Sequence, residues 1–568
     1  MCPMSSISSM FSMPSMPTRP DTLQYRTSSA PVAGDPLSAA VRVTRQAGDG
    51  PCVLYERGDT WSVALGAITE VTVTRTGVRR TGPDGERTVP WTDDPAPALR
   101  ELLSDLPVED WRAYGTVDFE LSYAGTPAFD ELPADTVLLR LVVPRTEIRI
   151  QGSTATVRTL DPEEAQHAVA ALASDEADPV HPASAPLVDV DLEQGEGELY
   201  RKAVAGAVRE IRDSTLRKVI LSRVVQITEP VDLASTYLLG RRRNTPARSF
   251  LLHLGGLRAA GFGPEIVLAV DADGRVRTQP LAGTRALTGD AEGDARLRRE
   301  LLADPKEVYE HAVTVRTSFE ELEAVCEPGT IQVTDYMTVK PRGTAQHLGS
   351  DLYGRLRPGQ DGWDALASLF PAVTVAGIPK AEAYEAIRRY ESEPRGLYGG
   401  AVLTVGQDGT FDAALVLRSV YQQGGRTWLR AGAGIVGQSV PEREFTETCE
   451  KLRSVSGTVV AAVAAGRTEL GLDVMRRDVA EALRCPESEV DTEANLIAQG
   501  LDSVGLMTVV SKWSAYGVRF KVAELARDPR LVAWARLVQE QQVPPSPEPP
   551  TARTTAAPRA GEQVRTRP

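Results

Sequence analysis

Two pairs of glutamates stand three residues apart, Glu307 with Glu310 and Glu444 with Glu447. On a helix, side chains at i and i+3 share a face, so each pair would present its carboxylates together. Brought close, the two pairs would form an all-oxygen donor set suited to Mg2+, with a ligand's own oxygens and water completing the shell. Glu-x-x-Glu on a helix is more often a solvated face, so the motif alone decides nothing. A second candidate lies in NLIAQGLDSVGLMTVVSKW (495–513). There a Gly-Leu-Asp-Ser turn precedes Leu506, Val509, Val510 and Trp513, which follow the i, i+3, i+4, i+7 helical pattern. Ser503 then sits at a helix N-terminus, where free N–H groups and the dipole favour a phosphodiester. Either Asp502 or Ser503 would equally serve as an ordinary N-cap.

These groups need elements to position them. From about residue 36 to 466, β-branched strands alternate with long amphipathic helices. Strands are expected at 218–227, 249–255 and 265–270, the last followed by the turn Asp271-Ala-Asp-Gly274 and a second strand, hence a hairpin. Segments 397–405, 410–421 and 427–435 read as an antiparallel meander joined by QDG and GG turns. Helices are expected at 197–212, 307–326 and 442–465. Hairpins among long helices predict an α+β fold, a large antiparallel-sheet α/β sandwich. Residues 467–542 read as a separate small domain, a four-helix bundle. Residues 1–35, rich in Ser, Met and Pro, are expected to be disordered. So are residues 543–568, where seven prolines, four arginines and two glutamates leave almost nothing apolar to bury.

Composition narrows the partners. With 63 Lys+Arg against 77 Asp+Glu, the net charge of −14 makes bulk attraction to nucleic acid or an anionic membrane unfavourable. No apolar run approaches the roughly 18 residues of a membrane span, and the N-terminus lacks a secretory pattern. The cysteines (Cys2, Cys52, Cys326, Cys449, Cys485) are scattered without a CxxC. They read as reduced thiols of a cytoplasmic protein.

Beside the first glutamate pair stands DPKEVYEHAVTVR (304–316), and beside the second PEREFTETCEKL (441–452). With RKVILSR, GFGPEIVL, PLAGTRA, TAQHLGS, LFPAVTVAGIPKAEA, PRGLYGGAVL, AALVLR and RAGAGIV, this ordered set resembles the chorismate-utilising enzymes, relatives of anthranilate synthase component I. Within them it is most similar to the salicylate synthases, over about 200–450. The resemblance implies Mg2+-dependent conversion of chorismate, with Glu310 and Glu447 as metal carboxylates and Glu307 and Glu444 beside them. It implies that Lys218 is the base that activates water toward C2 of the ring, and that Glu265 is the acid that protonates the departing C4 hydroxyl. Burial would serve both, because desolvation disfavours each charged form. It also implies that Arg418 and Tyr398 hold the enolpyruvyl carboxylate, with backbone donors from the glycine-rich turn 431–434 (through Gly434) and from Gly283 and Thr284. His347 matches a histidine near the ring carboxylate and is expected beside Lys218 and Glu265 as a catalytic residue, though a lone histidine is as commonly a satisfied core residue. Lys451 is a further carboxylate-binding candidate.

EHAVTVR departs from the tract carried by the ammonia-using members, and Lys218 favours water as nucleophile. DPKE, QHLGS, GIPK and RGLY favour the salicylate synthases, which go on to expel pyruvate. Ala376 and Gly399 stand where that family often has serine, and a glycine there also occurs among isochorismate synthases. Salicylate is the expected product, with isochorismate as the alternative. Residues 467–542 resemble an aryl carrier domain, which implies 4'-phosphopantetheine on Ser503. Between Cys485 and Val510 lie Glu487, Glu489, Asp491, Glu493 and Asp502 with no Lys or Arg, a face suited to a basic phosphopantetheinyl transferase. No ATP-using segment is evident, so a salicylate-activating AMP ligase in trans and a downstream nonribosomal peptide synthetase, as in siderophore assembly, are expected partners. A carrier scaffold with a silent large domain is the remaining alternative.

Overall fold

The computed structural model describes residues 22–174, 186–193, 196–343, 345–462, 470–483, 485–514, 520, 525 and 527–542. The chain divides into two compact units, Met1–Ala461 and Ala462–Pro568. The larger contains an 11-stranded and a 12-stranded sheet. All paired strands in both are antiparallel, as hairpins among long helices require. Tyr55, Phe250 and Leu252 of the first sheet share a buried cluster with Tyr114, Val402 and Ala414 of the second. The two sheets therefore face one another across an apolar layer. Helices cover the outer faces and bury against the main core.

The strand Lys218–Ile227 lies near one edge of the first sheet, between Arg426–Ile435 and the short Gly377–Ile378. Nine of its ten positions are buried, as its near-continuous apolar run demands. The hairpin Ile266–Val270 and Arg275–Gln279 forms in the second sheet. Its turn is closed by the Asp271 carboxylate, which accepts from the N–H groups of Asp273 (3.0 Å) and Arg275 (2.9 Å). Helix Pro305–Val325 starts with proline after Asp304, whose side chain caps the N–H groups of Lys306 and Glu307. Helix Pro441–Ser456 likewise begins on proline.

Four sequence expectations need correction. The presumed strand 410–421 is two strands, Phe411–Leu415 in the second sheet and Ser419–Gln423 in the first. The expected meander is therefore split between sheets, because Arg418 adopts φ 51°, a left-handed conformation that breaks the strand and passes the chain across. The glycine-rich segment 431–434 is no turn but part of strand Arg426–Ile435. The final helix of this unit stops at Ser456, capped by Gly457, rather than running to 465. Disorder does not extend to residue 35: Arg26–Pro31 is an edge strand paired with Thr154–Thr159. Its polar RTSSAP sequence carries no apolar alternation because five of its six residues are exposed. Residues 1–21 and 543–568, also expected to be disordered, lie outside the described residues.

In the smaller unit, helices Leu472–Leu483, Ser503–Ser514 and Leu531–Gln542 are seen among the described residues. Met475, Val479, Leu506, Val509, Trp513, Leu531 and Trp534 form its core. The helical spacing of the sequence thus places Leu506, Val509 and Trp513 inside, and Trp513 Nε1 donates to the buried Asp478 carboxylate (3.1 Å). No helix among the described residues is long and apolar enough to cross a membrane.

Candidate active site

The ends of several elements from both sheets converge with the two glutamate-bearing helices. Lys218, the first residue of its strand, is 6% exposed, and its Nζ lies 2.5 Å from Glu310 Oε1. Burial opposes ionisation of Glu310, but the Lys218 ammonium outweighs it and holds that carboxyl below its usual range. Glu447 is held low in the same way: burial opposes its charge, and Lys451 Nζ at 2.8 Å from Oε1 favours it. Lys451 also donates to the Gly432 carbonyl (2.9 Å).

The remaining pair behaves oppositely. Glu307 is pushed up by burial and by the charge of Glu310, despite Arg285 Nη1 at 3.3 Å. Glu444, 2% exposed, is pushed up by burial and by Glu447. Its Oε2 is buried without a hydrogen-bond partner, an orphan acceptor inside the fold. Lys306 exerts a favourable charge on all of these carboxyls, as expected if they surround one region. As the side chains stand, no group of three or more acids, histidines or cysteines among the described residues is closed enough to hold an ion. Their donor chemistry nevertheless fits a hard divalent cation: all-oxygen ligands, mutual repulsion within each pair, and one acceptor with nothing to accept from.

Glu265 lies between strands Leu257–Gly263 and Ile266–Val270 and is 3% exposed. Burial pushes its carboxyl up to about 8, Thr374 and the Leu281 N–H oppose the shift, and the Lys218 charge opposes it more weakly. Thr374 Oγ1 sits 2.9 and 3.0 Å from its two oxygens. At neutral pH this residue is a buried carboxylic acid that still holds its proton.

Arg418, at the crossing between sheets, is half-buried, and among the described residues it pairs with no carboxylate. Its Nη1 donates to the Arg342 carbonyl (3.0 Å) and its Nη2 to His347 Nε2 (2.7 Å). Burial, with the nearby Arg342 charge, brings the guanidinium down to about 10. Because guanidinium only donates, His347 accepts through Nε2 and carries its proton on Nδ1, 2.9 Å from Thr284 Oγ1. Burial and the Arg418 charge hold His347 well below its usual range, so the ring is neutral. The chain Arg418–His347–Thr284 thus fixes the orientation of the guanidinium.

Tyr398 is buried under the guanidinium groups of Arg395 and Arg430, 5.7 and 5.5 Å from its ring centre. Both arginines bind Glu391 at 2.6 Å, while Arg395 also donates to the carbonyls of Ile220 and Val375. This buried cluster fastens the strand of Lys218, the loop of Thr374 and the loop of Tyr398 together. Two glycines make room. A Cβ on Gly434 would stand 3.3 Å from Lys218 Cε and 3.6 Å from Glu310 Oε1. Gly283 has φ 82°, and a Cβ there would stand 3.1 Å from Glu307 Oε2. Gly399 has φ 73°, a conformation serine rarely adopts, which explains glycine at that position. Sequence reasoning missed Thr374, Arg285, Arg342 and Lys306. Arg285, Lys306 and Thr374 stand inside quoted motifs (PLAGTRA, DPKEVYEHAVTVR and LFPAVTVAGIPKAEA) without an assigned role, whereas Arg342 carries no local signal.

In the smaller unit, Ser503 is the first residue of helix Ser503–Ser514. The Asp502 side chain takes the capping role, accepting from the Gly505 N–H at 2.7 Å. Glu487, Glu489, Asp491, Glu493 and Asp502 are all exposed.

Two antiparallel sheets, a buried acid, a guanidinium paired with no carboxylate and two glutamate-bearing helices suit an enzyme of small anionic substrates. The chain belongs to the chorismate-binding enzymes, whose family model (chorismate binding enzyme) matches residues 50–457. The model of the phosphopantetheine attachment site matches residues 473–538. Among curated relatives, the salicylate synthase of Mycolicibacterium paratuberculosis is 45% identical over 444 residues, covering 76% of this chain and 95% of that protein. Anthranilate synthase component 1 of Streptomyces coelicolor is 42% identical over 270 residues, and the match spans about half of each, 47% of this chain and 52% of that protein. The fold is shared with the menaquinone-specific isochorismate synthase from Escherichia coli at TM-score 0.58 and 25% identity, covering 76% of this chain and 94% of that one. It is shared also with anthranilate synthase component I from Streptococcus pneumoniae, at TM-score 0.58 and 24% identity, covering 70% and 92%.

Proposed function

We propose that the larger unit converts chorismate, through isochorismate, into salicylate and pyruvate, and that the smaller unit accepts an aryl acid as a thioester on a 4'-phosphopantetheine arm at Ser503. The observation that carries the first part is Glu265, a carboxyl held protonated at 3% exposure within electrostatic reach of Lys218. Loss of the C4 hydroxyl needs a proton donor, and Glu265 supplies one where water could not compete. Lys218 takes the proton of the water that attacks C2, which requires its amine to part from Glu310. Arg418 and Tyr398 bind the enolpyruvyl carboxylate. Neutral His347 and Thr284 hold the guanidinium in place, so His347 is an orienting group rather than an acid or base. Lys451 supplies a further cation. Glu307, Glu310, Glu444 and Glu447 would hold Mg2+, which would supply the positive charge that a dianionic substrate otherwise lacks among four acids. Expulsion of pyruvate then needs only an enolpyruvyl arm held against the ring, a matter of orientation.

The family match over the smaller unit, the helix starting at Ser503 and its exposed acids support the carrier reading. A basic phosphopantetheinyl transferase would install the arm. A free salicylate does not acylate a thiol unaided, so an AMP-forming ligase would load it, and a nonribosomal peptide synthetase would receive it. The test is incubation of the full chain with chorismate, with and without Mg2+ and with a chelator. Salicylate and pyruvate in equal amounts, lost on chelation, are expected. Isochorismate without pyruvate would replace the product assigned here, and no turnover with metal supplied would favour a carrier scaffold.

A further inference from the structure

Glu265 poses a problem of supply. In the reading above, each turnover leaves it as a carboxylate, and it must regain a proton before the next chorismate can react. Yet it is 3% exposed. Its carboxyl borders a small cavity of about 10 Å3, room for about one water. Thr374, Thr278, Thr314, Ser318 and Glu321 also line this cavity, whereas Lys218, Thr284, Tyr398 and Arg418 do not. It is therefore a chamber distinct from the groups proposed to hold the substrate. Thr374 Oγ1, within 3.0 Å of both Glu265 oxygens, can donate to one while accepting from the other. At the far end, Glu321 belongs to helix Pro305–Val325, and its side chain is 15% exposed, so it reaches both the cavity and solvent.

We propose that Glu321 is a relay residue that returns the proton to Glu265 after each turnover, through one water in this cavity and the Thr374 hydroxyl. Glu321 in its acid form gives its proton to the cavity water. That water passes one of its own protons on, directly or across Thr374, to the Glu265 carboxylate. Glu321, left as carboxylate, regains a proton from solvent. Only O–H bonds break and form, and no charge is created overall. The groups facing Glu321 are Lys380, whose Nζ is 2.5 Å from Oε1, and Glu320 and Tyr384 nearby. Those facing Glu265 are Thr374, the Leu281 N–H and Lys218. Burial raises the proton affinity of Glu321 and the Lys380 charge opposes it. The inference rests on Glu265 being the acid of the reaction.

Steady-state kinetics from pH 6 to 9, in H2O and D2O, separate the possibilities. Glu321→Gln should lower kcat by about tenfold or more at pH 8, leave KM within about twofold, raise the solvent isotope effect and respond to added small acids such as imidazolium. Lys380→Met removes the ion pair but keeps the carboxyl, so kcat should survive. Thr374→Ser should retain activity, and Thr374→Val, similar in volume but without a hydroxyl, should lose it; this pair decides the matter if Glu321→Gln does not fold. Wild-type kcat and isotope effect in Glu321→Gln or in Thr374→Val would overturn the proposal, as would an equal loss in Lys380→Met accompanied by lowered thermal stability. Failure of the underlying reading looks different: no turnover by the parent protein, or full activity in Glu265→Gln.

Discussion

Replacing Glu265 with glutamine should make the protein more stable and less active at once. The buried carboxyl is raised from 4.5 to about 8. At roughly 1.4 kcal/mol per pH unit, ionised Glu265 therefore costs the fold about 5 kcal/mol. Below pH 4.5 the carboxyl is protonated both folded and unfolded, and no penalty exists. As pH rises, the unfolded chain ionises this group while the folded chain does not, so stability falls until the loss is complete above about 8. From pH 5 to 9 the linkage amounts to about 4 kcal/mol. Glutamine does not titrate and keeps the shape and the contact with Thr374, so the advantage of Glu265→Gln should widen by that order across the range. Urea unfolding of parent and variant at pH 5, 7 and 9, followed by tryptophan fluorescence, measures the gap. Turnover should fall about 10²- to 10⁴-fold, the usual worth of a general acid. A gap that stays constant with pH, or that narrows as pH rises, would refute the claim that the acid is held protonated by burial.

Further outcomes follow from the same geometry. Arg418→Lys keeps the charge but loses the forked donor and its bond to His347, and should raise KM about 10- to 100-fold, measured by initial rates. Gly434→Ala places a Cβ 3.3 Å from Lys218 Cε, so kcat should fall about tenfold with little change in thermal midpoint. Ser503→Ala should abolish the mass gain seen after treatment with a phosphopantetheinyl transferase and coenzyme A, while leaving chorismate turnover intact.

Local patterns carried much of this in the sequence. Lys218–Ile227 reads as a strand because every position but one is buried, and the hairpin after Glu265 announces itself in Asp271-Ala-Asp-Gly274. The helix beginning at Ser503 follows from the spacing of Leu506, Val509 and Trp513. What the sequence hid depends on distant partners. The run FDAALVLRSVY looks like one strand, and only the left-handed Arg418 divides it between two sheets. That same division puts the guanidinium in the site. RTSSAP pairs with a strand more than 120 residues away and offers no apolar face to reveal it. Thr374 matters because a loop brings it to Glu265 across 109 residues of chain, a relation no local pattern encodes.

The central claim is that solvent water enters the ring at C2 before pyruvate leaves. Turnover of chorismate in H2(18)O tests it most directly. Salicylate carrying one labelled oxygen in its phenolic hydroxyl, with pyruvate in equal amount, is expected. Unlabelled salicylate would contradict it.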